Sequence, residues 1–196
     1  MMCSSNTLSS RSCILLTFKT FRIMATKTQI LFAKEVYEAA KSGEIDPVFV
    51  TAQACLESGW GKNKVGKNNI FGITKGSWTG PTVLILTTEY FSTPSKSFVA
   101  PEQKISMVKV KENRYKYTVK RLFREYSSLK EALEDHTAIF KKPMYADAWP
   151  YKNDANTFAE KICDRIGAKY ATDPVYIKSL KCMIGQIKGY VNRGWK

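Results

Sequence analysis

Apolar residues recur with the spacing of an amphipathic helix in four stretches of the chain. These stretches cover residues 28–40, 129–140, 158–166 and 174–187. In each of them the apolar side chains repeat every three or four positions, which places them on one face of a helix. Glycine or proline follows the first three stretches, as expected where a helix ends. The pattern therefore predicts a mainly helical protein.

A further helix is predicted within residues 46–61, DPVFVTAQACLESGWG. Asp46 followed by Pro47 is typical of a helix start, because the carboxylate accepts from an unpaired backbone N–H and proline lacks a hydrogen that would have no partner there. Residues 48–56 are apolar on nearly every side, so this helix is expected to be buried. Gly59 permits the left-handed backbone with which many helices end.

Glu57 falls on the last turn of this buried helix. Desolvation and the negative end of the helix dipole both favour the protonated form of a carboxyl group at that position. A neutral glutamic acid beside Trp60 is suited to general-acid catalysis of glycoside cleavage. From these residues alone, a structural role in which Glu57 caps the helix or pairs with a nearby lysine is equally consistent.

Residues 82–90 are rich in β-branched side chains and predict a strand. Glu89 lies near its end, and by spacing alone a carboxylate on a strand is expected to face solvent. Residues 105–111 and 115–122 predict two more strands, joined by a turn into an extra or extended hairpin. Lysines on its outward face would protect a solvated sheet edge or contact an anionic polymer. These lysines are Lys104, Lys109, Lys111, Lys116 and Lys120.

Composition narrows the choice of partner without deciding it. The 196 residues include 31 Lys and Arg against 17 Asp and Glu, a net charge of +14. This charge favours an anionic partner, and the candidates are nucleic acid, an anionic membrane or the acidic polymers of a bacterial envelope. No nucleic-acid motif is recognisable and the charges are dispersed, so a nucleic-acid partner is not expected.

Five cysteines without CxxC spacing and a single histidine argue against a disulfide framework or a metal site. Cys55 is expected to be a small buried group, and His136 a packed or surface residue. Residues 1–23 are rich in Ser and Thr, contain no acidic residue, and have an apolar run too short for a secretory signal. A poor export or targeting signal is one interpretation of this stretch. The sequence also predicts no transmembrane segment.

Four strings of the sequence together resemble a known family. They are AQACLESGWGKNKVGKNNIFGITKGSWTGP, LTTEY, FREYSSLKEALEDHTAIF and KYATDPVYIKSLKCMI. In this order they resemble the glucosaminidases of glycoside hydrolase family 73, which includes flagellar peptidoglycan hydrolase domains, autolysins and phage lysins. The resemblance spans roughly residues 27–190. Because it begins close to Met24, Met24 is interpreted as the natural start, and residues 1–23 as an unstructured leader or a misassigned upstream extension. It implies an α+β, lysozyme-like fold with a mainly helical lobe, a small antiparallel β-lobe and an active-site groove between them.

The resemblance also implies residue roles. Glu57 matches the catalytic acid, Glu89 the proposed second carboxylate of the β-lobe, and Tyr170 a tyrosine beside the catalytic glutamate. The Asn-Ile-Phe-Gly segment of the family lines the floor of the substrate cleft. An aromatic ring offers an apolar surface that matches one face of a pyranose. We expect two of the three candidates Trp60, Trp78 and Tyr145 to lie against a sugar in this way. The candidate substrate contacts are Trp60, Asn69, Phe71, Trp78 and Tyr145.

The implied protein is a single catalytic domain, residues 24–196, in which the hairpin near residues 91–121 departs from the family. The implied activity is cleavage of peptidoglycan glycan strands after N-acetylglucosamine, toward N-acetylmuramic acid, by a monomer that needs no metal or cofactor. It would act at the cell wall as an endolysin, an autolysin or an exported effector, with a holin as one possible export route. Alternatives are a muramidase or lytic transglycosylase on the same fold, a cysteine amidase using Cys55 and His136, and a non-enzymatic basic binding module for envelope polymer or nucleic acid.

Overall fold

The computed structural model describes residues 25–163 and 175–196. Two helices come first, then three strands, then three helices. In chain order they are α1 (Lys27–Ala40), α2 (Pro47–Ser58), β1 (Thr82–Phe91), β2 (Gln103–Lys111), β3 (Arg114–Arg124), α3 (Leu129–Phe140), α4 (Ala155–Cys163) and α5 (Tyr176–Asn192), with 3-10 turns at Pro143–Tyr145 and Trp149–Tyr151. None of the helices in these ranges is long and apolar enough to cross a membrane.

Helix α2 is the centre of the helical part. Asp46 caps it by accepting a 2.7 Å hydrogen bond from the backbone N–H of Val48, and Gly59 ends it with a left-handed backbone at φ 57°. Nine of its 12 residues are buried, and it packs against both α1 and α5. The start, end and burial predicted for this helix are therefore confirmed.

Three phenylalanines join the helices around α2 into one core. Phe49 of α2 lies edge-to-face against Phe158 of α4 at 4.8 Å between ring centroids, and against Phe140 of α3 at 5.9 Å. Phe140 and Phe158 also meet each other at 5.3 Å. Such edge-to-face pairs add to the free energy of burial, so this cluster holds three helices at fixed positions.

The three strands form one antiparallel sheet in the order β1-β3-β2. The predicted hairpin exists as β2 and β3, and Asn113 takes a left-handed backbone, φ 49°, in its turn. Its second strand is also the centre of the sheet, because β3 pairs with β1 over the whole length from Thr82 to Phe91. Strand β2 is therefore an edge strand of the small β-lobe, and every lysine predicted on it is exposed.

The end of β3 is fastened to helix α3. Arg124 donates from Nη1 to both carboxylate oxygens of Asp135, at 2.6 and 2.7 Å, and the hydroxyl of Tyr126 donates to the same carboxylate at 2.6 Å. The backbone N–H of Arg124 also donates to the carbonyl of Ile73 at 3.0 Å. These contacts tie the sheet to the helical part through one buried ion pair.

Candidate active site

Glu57 lies on the last turn of α2 with a half-buried side chain. The chain then turns sharply, since Gly59, Trp60 and Gly61 all have left-handed backbones, with φ of 57°, 61° and 79°. This conformation is unusual for a tryptophan and marks a constrained turn. A Cβ on Gly61 would lie 2.6 Å from the ring of Phe32 in α1, so only glycine fits there. The position of Glu57 is thus set by a rigid helix end.

A line of polar side chains leads from Glu57 into the core. The hydroxyl of Tyr176, at the start of α5, donates to Oε1 of Glu57 at 3.0 Å. Gln53 donates from Nε2 to the Tyr176 hydroxyl at 3.0 Å, and its Oε1 lies 2.7 Å from Nε2 of His136. Gln53 and His136 are 0% and 1% exposed. Four polar side chains from α2, α3 and α5 therefore connect the candidate acid to the interior.

Sequence reasoning missed Gln53 and Tyr176. Gln53 had a usable signal, because it is a polar residue in the middle of a buried helix and lies four positions before Glu57, on the same face. Tyr176 had no comparable signal, since its hydroxyl reaches Glu57 only after α5 packs against α2. Tyr170, which was predicted beside Glu57, lies outside the described residues.

Glu89 is buried on the inward face of the sheet, with 2% of its surface exposed. Its Oε2 accepts a 2.8 Å hydrogen bond from Nη1 of Arg121, and Nε of the same arginine donates to Glu102 at 2.9 Å. Burial raises the pKa of the Glu89 carboxyl, and the positive charge of Arg121 opposes that rise. The interpretation of Glu89 as a solvent-facing strand residue is wrong, because the side chain pairs inward.

Asn69 and Phe71 support the segment that was predicted to line the cleft. Asn69 is 0% exposed; its amide donates to the carbonyls of Ile73 and Arg124, both at 2.9 Å, and accepts from the Ile73 N–H at 2.9 Å. Phe71, 2% exposed, stacks on His136 with centroids 3.8 Å apart. Both side chains face the interior, which favours a role in shaping the loop over direct contact with a sugar.

The three candidate aromatic platforms differ in exposure. Tyr145 is 5% exposed and packs edge-on against Phe140 in the core, so it offers little surface to a ligand. Trp60 and Trp78 are half-buried. Trp78 is held by a 2.9 Å hydrogen bond from its indole N–H to the carbonyl of Pro81. For Trp60 and Trp78, stacking against a sugar remains a prediction.

The described residues offer little for metal or thiol chemistry. Within residues 25–163 and 175–196, no group of three His, Cys, Asp or Glu side chains is placed to hold a metal ion. Cys55 is 0% exposed, and burial raises the pKa of its thiol, which disfavours the reactive thiolate. His136 is hydrogen-bonded to Gln53. This arrangement fits a packed cysteine better than a Cys55–His136 nucleophile.

Several solved structures share this fold. The glycoside hydrolase domain of FlgJ from Salmonella typhimurium is 28% identical, with a TM-score of 0.55 over 85% of this chain and 87% of that domain. A mutant of a peptidoglycan hydrolase from Sphingomonas sp. A1 is 27% identical, with a TM-score of 0.60 over 84% of this chain and 99% of the other. The fold is therefore the lysozyme-like fold of these hydrolase domains.

Sequence comparison points the same way. The peptidoglycan hydrolase FlgJ of Escherichia coli K12 is 34% identical over 158 residues, which are 76% of this chain and 42% of FlgJ. A "Probable N-acetylmuramidase" of Lactococcus lactis subsp. cremoris is 30% identical over 176 residues, 83% of this chain and 34% of that protein. This chain thus spans about two fifths or less of the length of these relatives. The profile of the glucosaminidase family, described as mannosyl-glycoprotein endo-beta-N-acetylglucosaminidase, matches residues 33–189, and the chain therefore belongs to the glucosaminidase family of glycoside hydrolases.

Proposed function

We propose that this protein hydrolyses the β-1,4 bond between N-acetylglucosamine and N-acetylmuramic acid in bacterial peptidoglycan, with Glu57 as the general acid. The observation that carries the proposal is the placement of Glu57: it lies half-buried at the rigid end of α2, with one carboxyl oxygen bonded to Tyr176. A carboxyl group in a partly desolvated position is suited to protonating a glycosidic oxygen. Membership of the glucosaminidase family supports the same reaction class.

In the proposed reaction, the proton of Glu57 passes to the leaving oxygen while the bond from the anomeric carbon to that oxygen breaks. The resulting oxocarbenium-like centre needs negative charge or a nucleophile on its other side, and a water molecule finally adds to it. Glu89 is the proposed base or electrostatic stabiliser. A pKa raised by burial fits a base that works near neutral pH. Tyr170 is proposed to orient the water or to stabilise the developing charge.

The N-acetyl group of the substrate is the alternative nucleophile, and that route does not need Glu89. The ion pair between Glu89 and Arg121 favours this substrate-assisted route, because the Glu89 side chain is buried and out of contact with solvent. Opening of the β-lobe around substrate would be required before Glu89 could act directly. The two routes differ in what replacement of Glu89 does to the rate.

Product analysis tests the proposal. Purified peptidoglycan is digested with wild type, Glu57→Gln and the control Glu38→Gln, then reduced with borohydride and examined by mass spectrometry. Glu38 is a matched control, because it is an exposed glutamate of α1 whose carboxylate pairs with Lys41, three positions further along the chain. We expect reduced N-acetylglucosamine ends from wild type and Glu38→Gln, and a rate at least about 100-fold lower for Glu57→Gln.

Other products identify the competing activities. Reduced N-acetylmuramic acid ends would show a muramidase, the activity in the name of the Lactococcus lactis relatives. Anhydro-muramic ends would show a lytic transglycosylase, and released stem peptides an amidase. Equal rates for wild type and Glu57→Gln would contradict the role of Glu57 in any of these reactions.

We also propose that the acidic polymers of the cell wall bind the lysines of the β2–β3 hairpin. Lys109, Lys111 and Lys116 are exposed on it, and the whole chain carries a charge of +14. Binding to intact walls should weaken as salt rises, because exposed charges are screened. Replacing these three lysines by glutamine should reduce wall binding more than replacing Lys27 and Lys34, two exposed lysines of α1. Equal effects would contradict a specific role for the hairpin.

A further inference from the structure

The hydrogen bonds between Glu57 and His136 form a directed chain. The amide oxygen of Gln53 can only accept, so His136 donates from Nε2 to it at 2.7 Å. The amide nitrogen of Gln53 then donates to the hydroxyl of Tyr176, which in turn donates to Oε1 of Glu57, both at 3.0 Å. Every donor thus points toward Glu57, and each bond fixes the direction of the next.

The interior end of this chain is chemically fixed. His136 is 1% exposed, it stacks on Phe71, and burial lowers its pKa from 6.5 to about 3. It is therefore neutral near pH 7, with a single N–H. Because Nε2 carries that hydrogen, Nδ1 is unprotonated, and it has no hydrogen-bond partner among the described residues. A buried neutral imidazole is thus held in one tautomer, which can orient the Gln53 amide.

We infer that Tyr176, oriented by Gln53 and His136, is a positioning residue that keeps the acid proton of Glu57 on Oε2. The inference rests on the proposed role of Glu57 as general acid. In a carboxylic acid the carbonyl oxygen is the better hydrogen-bond acceptor. The hydroxyl of Tyr176 donates to Oε1. This bond stabilises the form of the acid in which Oε1 is the carbonyl oxygen and Oε2 carries the hydrogen.

This arrangement matters most during bond cleavage. As the O–H bond at Oε2 breaks, the proton joins the leaving glycosidic oxygen, and Glu57 becomes a carboxylate. The bond from Tyr176 is then charge-assisted and stronger than in the starting state. An interaction that strengthens in the transition state raises kcat and leaves substrate binding little changed.

Kinetics with Tyr176→Phe tests this role. The change removes one hydroxyl and keeps the ring. Tyr190→Phe is the matched control, since Tyr190 is on the same helix and its hydroxyl accepts from the backbone N–H of Ala25. We expect Tyr176→Phe to lower kcat about 10- to 100-fold with KM within about twofold, as for a misplaced catalytic group, and Tyr190→Phe to match wild type. A wild-type kcat for Tyr176→Phe would overturn the inference.

A rescue experiment tests the inner part of the hydrogen-bond chain, the bond from His136 to Gln53. The amide nitrogen of glutamine is as many bonds from Cα as Nε2 of histidine, so His136→Gln keeps a donor toward Gln53, whereas His136→Leu removes it. We expect His136→Gln to retain more than half of the wild-type kcat. We expect His136→Leu to lose kcat by about as much as Tyr176→Phe. Equal losses in both variants, each measured where thermal unfolding shows it folded, would contradict orientation through His136.

Nitrogen-15 NMR of the ring gives a readout that needs no activity. His136 is the only histidine of the chain, so a sample labelled at histidine has a single imidazole to assign. We expect the neutral Nε2–H tautomer between pH 5 and pH 8. The Nδ1–H tautomer would reverse every hydrogen bond from His136 to Glu57 and place the Glu57 proton on Oε1, facing Tyr176. That result would overturn the inference.

The same assays separate this inference from the proposed function. If Glu57→Gln retains wild-type activity, the proposed function fails, whatever Tyr176→Phe does. If Glu57→Gln is inactive while Tyr176→Phe is normal, Glu57 is the acid and the positioning role of Tyr176 fails alone. If wild type cleaves no glycan but His136 is the Nε2–H tautomer, the hydrogen-bond chain stands and the activity assigned to it fails.

Discussion

The carboxylate of Glu89 and the guanidinium of Arg121 meet at 2.8 Å inside the β-lobe, with their side chains 3% and 15% exposed. They extend from neighbouring strands, β1 and β3, and Arg121 also binds Glu102 at 2.9 Å. Removing one partner of a buried ion pair leaves an uncompensated charge, which destabilises a protein by about 3–5 kcal/mol. Glu89 therefore has a structural partner whether or not it takes part in catalysis.

A matched pair of variants separates these roles. Glu89→Gln and Glu102→Gln each neutralise one carboxylate that binds Arg121 and leave the other in place, so Arg121 is not left without a partner. Each variant should therefore lower the free energy of unfolding by less than the loss of a sole partner would, by about 1–3 kcal/mol. We expect only Glu89→Gln to lower kcat, by at least about 100-fold, because only Glu89 is proposed to act on substrate. The measurements are chemical denaturation and peptidoglycan turnover. Normal turnover by a folded Glu89→Gln would favour the substrate-assisted route.

Two adjacent asparagines test whether Asn69 supports the cleft segment. Asn69 makes three hydrogen bonds to backbone groups, whereas the Asn68 amide donates one, to the Tyr126 carbonyl at 2.9 Å. Asn69→Ala should lower the free energy of unfolding by roughly 2–4 kcal/mol and Asn68→Ala by about 1 kcal/mol, since unsatisfied buried groups carry the larger penalty. Urea denaturation measures both. Similar losses would show that Asn69 is not the organiser of this loop.

The buried histidine predicts a loss of stability in acid. The pKa of His136 is about 3 in the folded protein and near 6.5 in the unfolded chain, so the unfolded state binds a proton that the folded state excludes. The stability linked to His136 is complete above pH 6.5 and falls as the pH drops from 6.5 toward 3. By pH 5 the free energy of unfolding should be lower by about 2 kcal/mol.

Urea unfolding at several pH values measures this effect. The control is His136→Gln, which has no titrating group at this position, so the difference between the wild-type and variant curves isolates the histidine. That difference should change by about 2 kcal/mol between pH 7.5 and pH 5. Parallel curves for the two proteins would contradict a buried, neutral His136.

The cysteines should differ in reactivity. Cys55 is 0% exposed with a thiol pKa raised by burial, whereas Cys182 on α5 is exposed. A thiol reagent added to the folded protein should therefore modify Cys182 and leave Cys55 unmodified, because modification needs access and a thiolate. Peptide mapping by mass spectrometry assigns each site. Rapid modification of Cys55 in folded protein would revive the cysteine-amidase alternative.

The sequence by itself determined the elements and the candidate acid. The helix with Glu57 on its last turn could be predicted from Asp46, Pro47 and Gly59, because caps, proline and glycine act on their immediate neighbours along the chain. The hairpin was predictable for the same reason, since alternation of side chains and turn residues is local. The role of β3 as the central strand was not, because the pattern of one strand does not name its partners.

Only the tertiary structure decided what surrounds the site. The hydrogen bonds of Gln53 with His136 and Tyr176 join residues 83 and 123 positions apart, and the bond from Tyr176 to Glu57 spans 119. The burial of Glu89 and of Tyr145 likewise depends on which elements cover them. Contacts at such separations form only when whole helices and strands pack, so residue type and spacing identify a glutamate that can act as an acid, and packing supplies the partners that hold it.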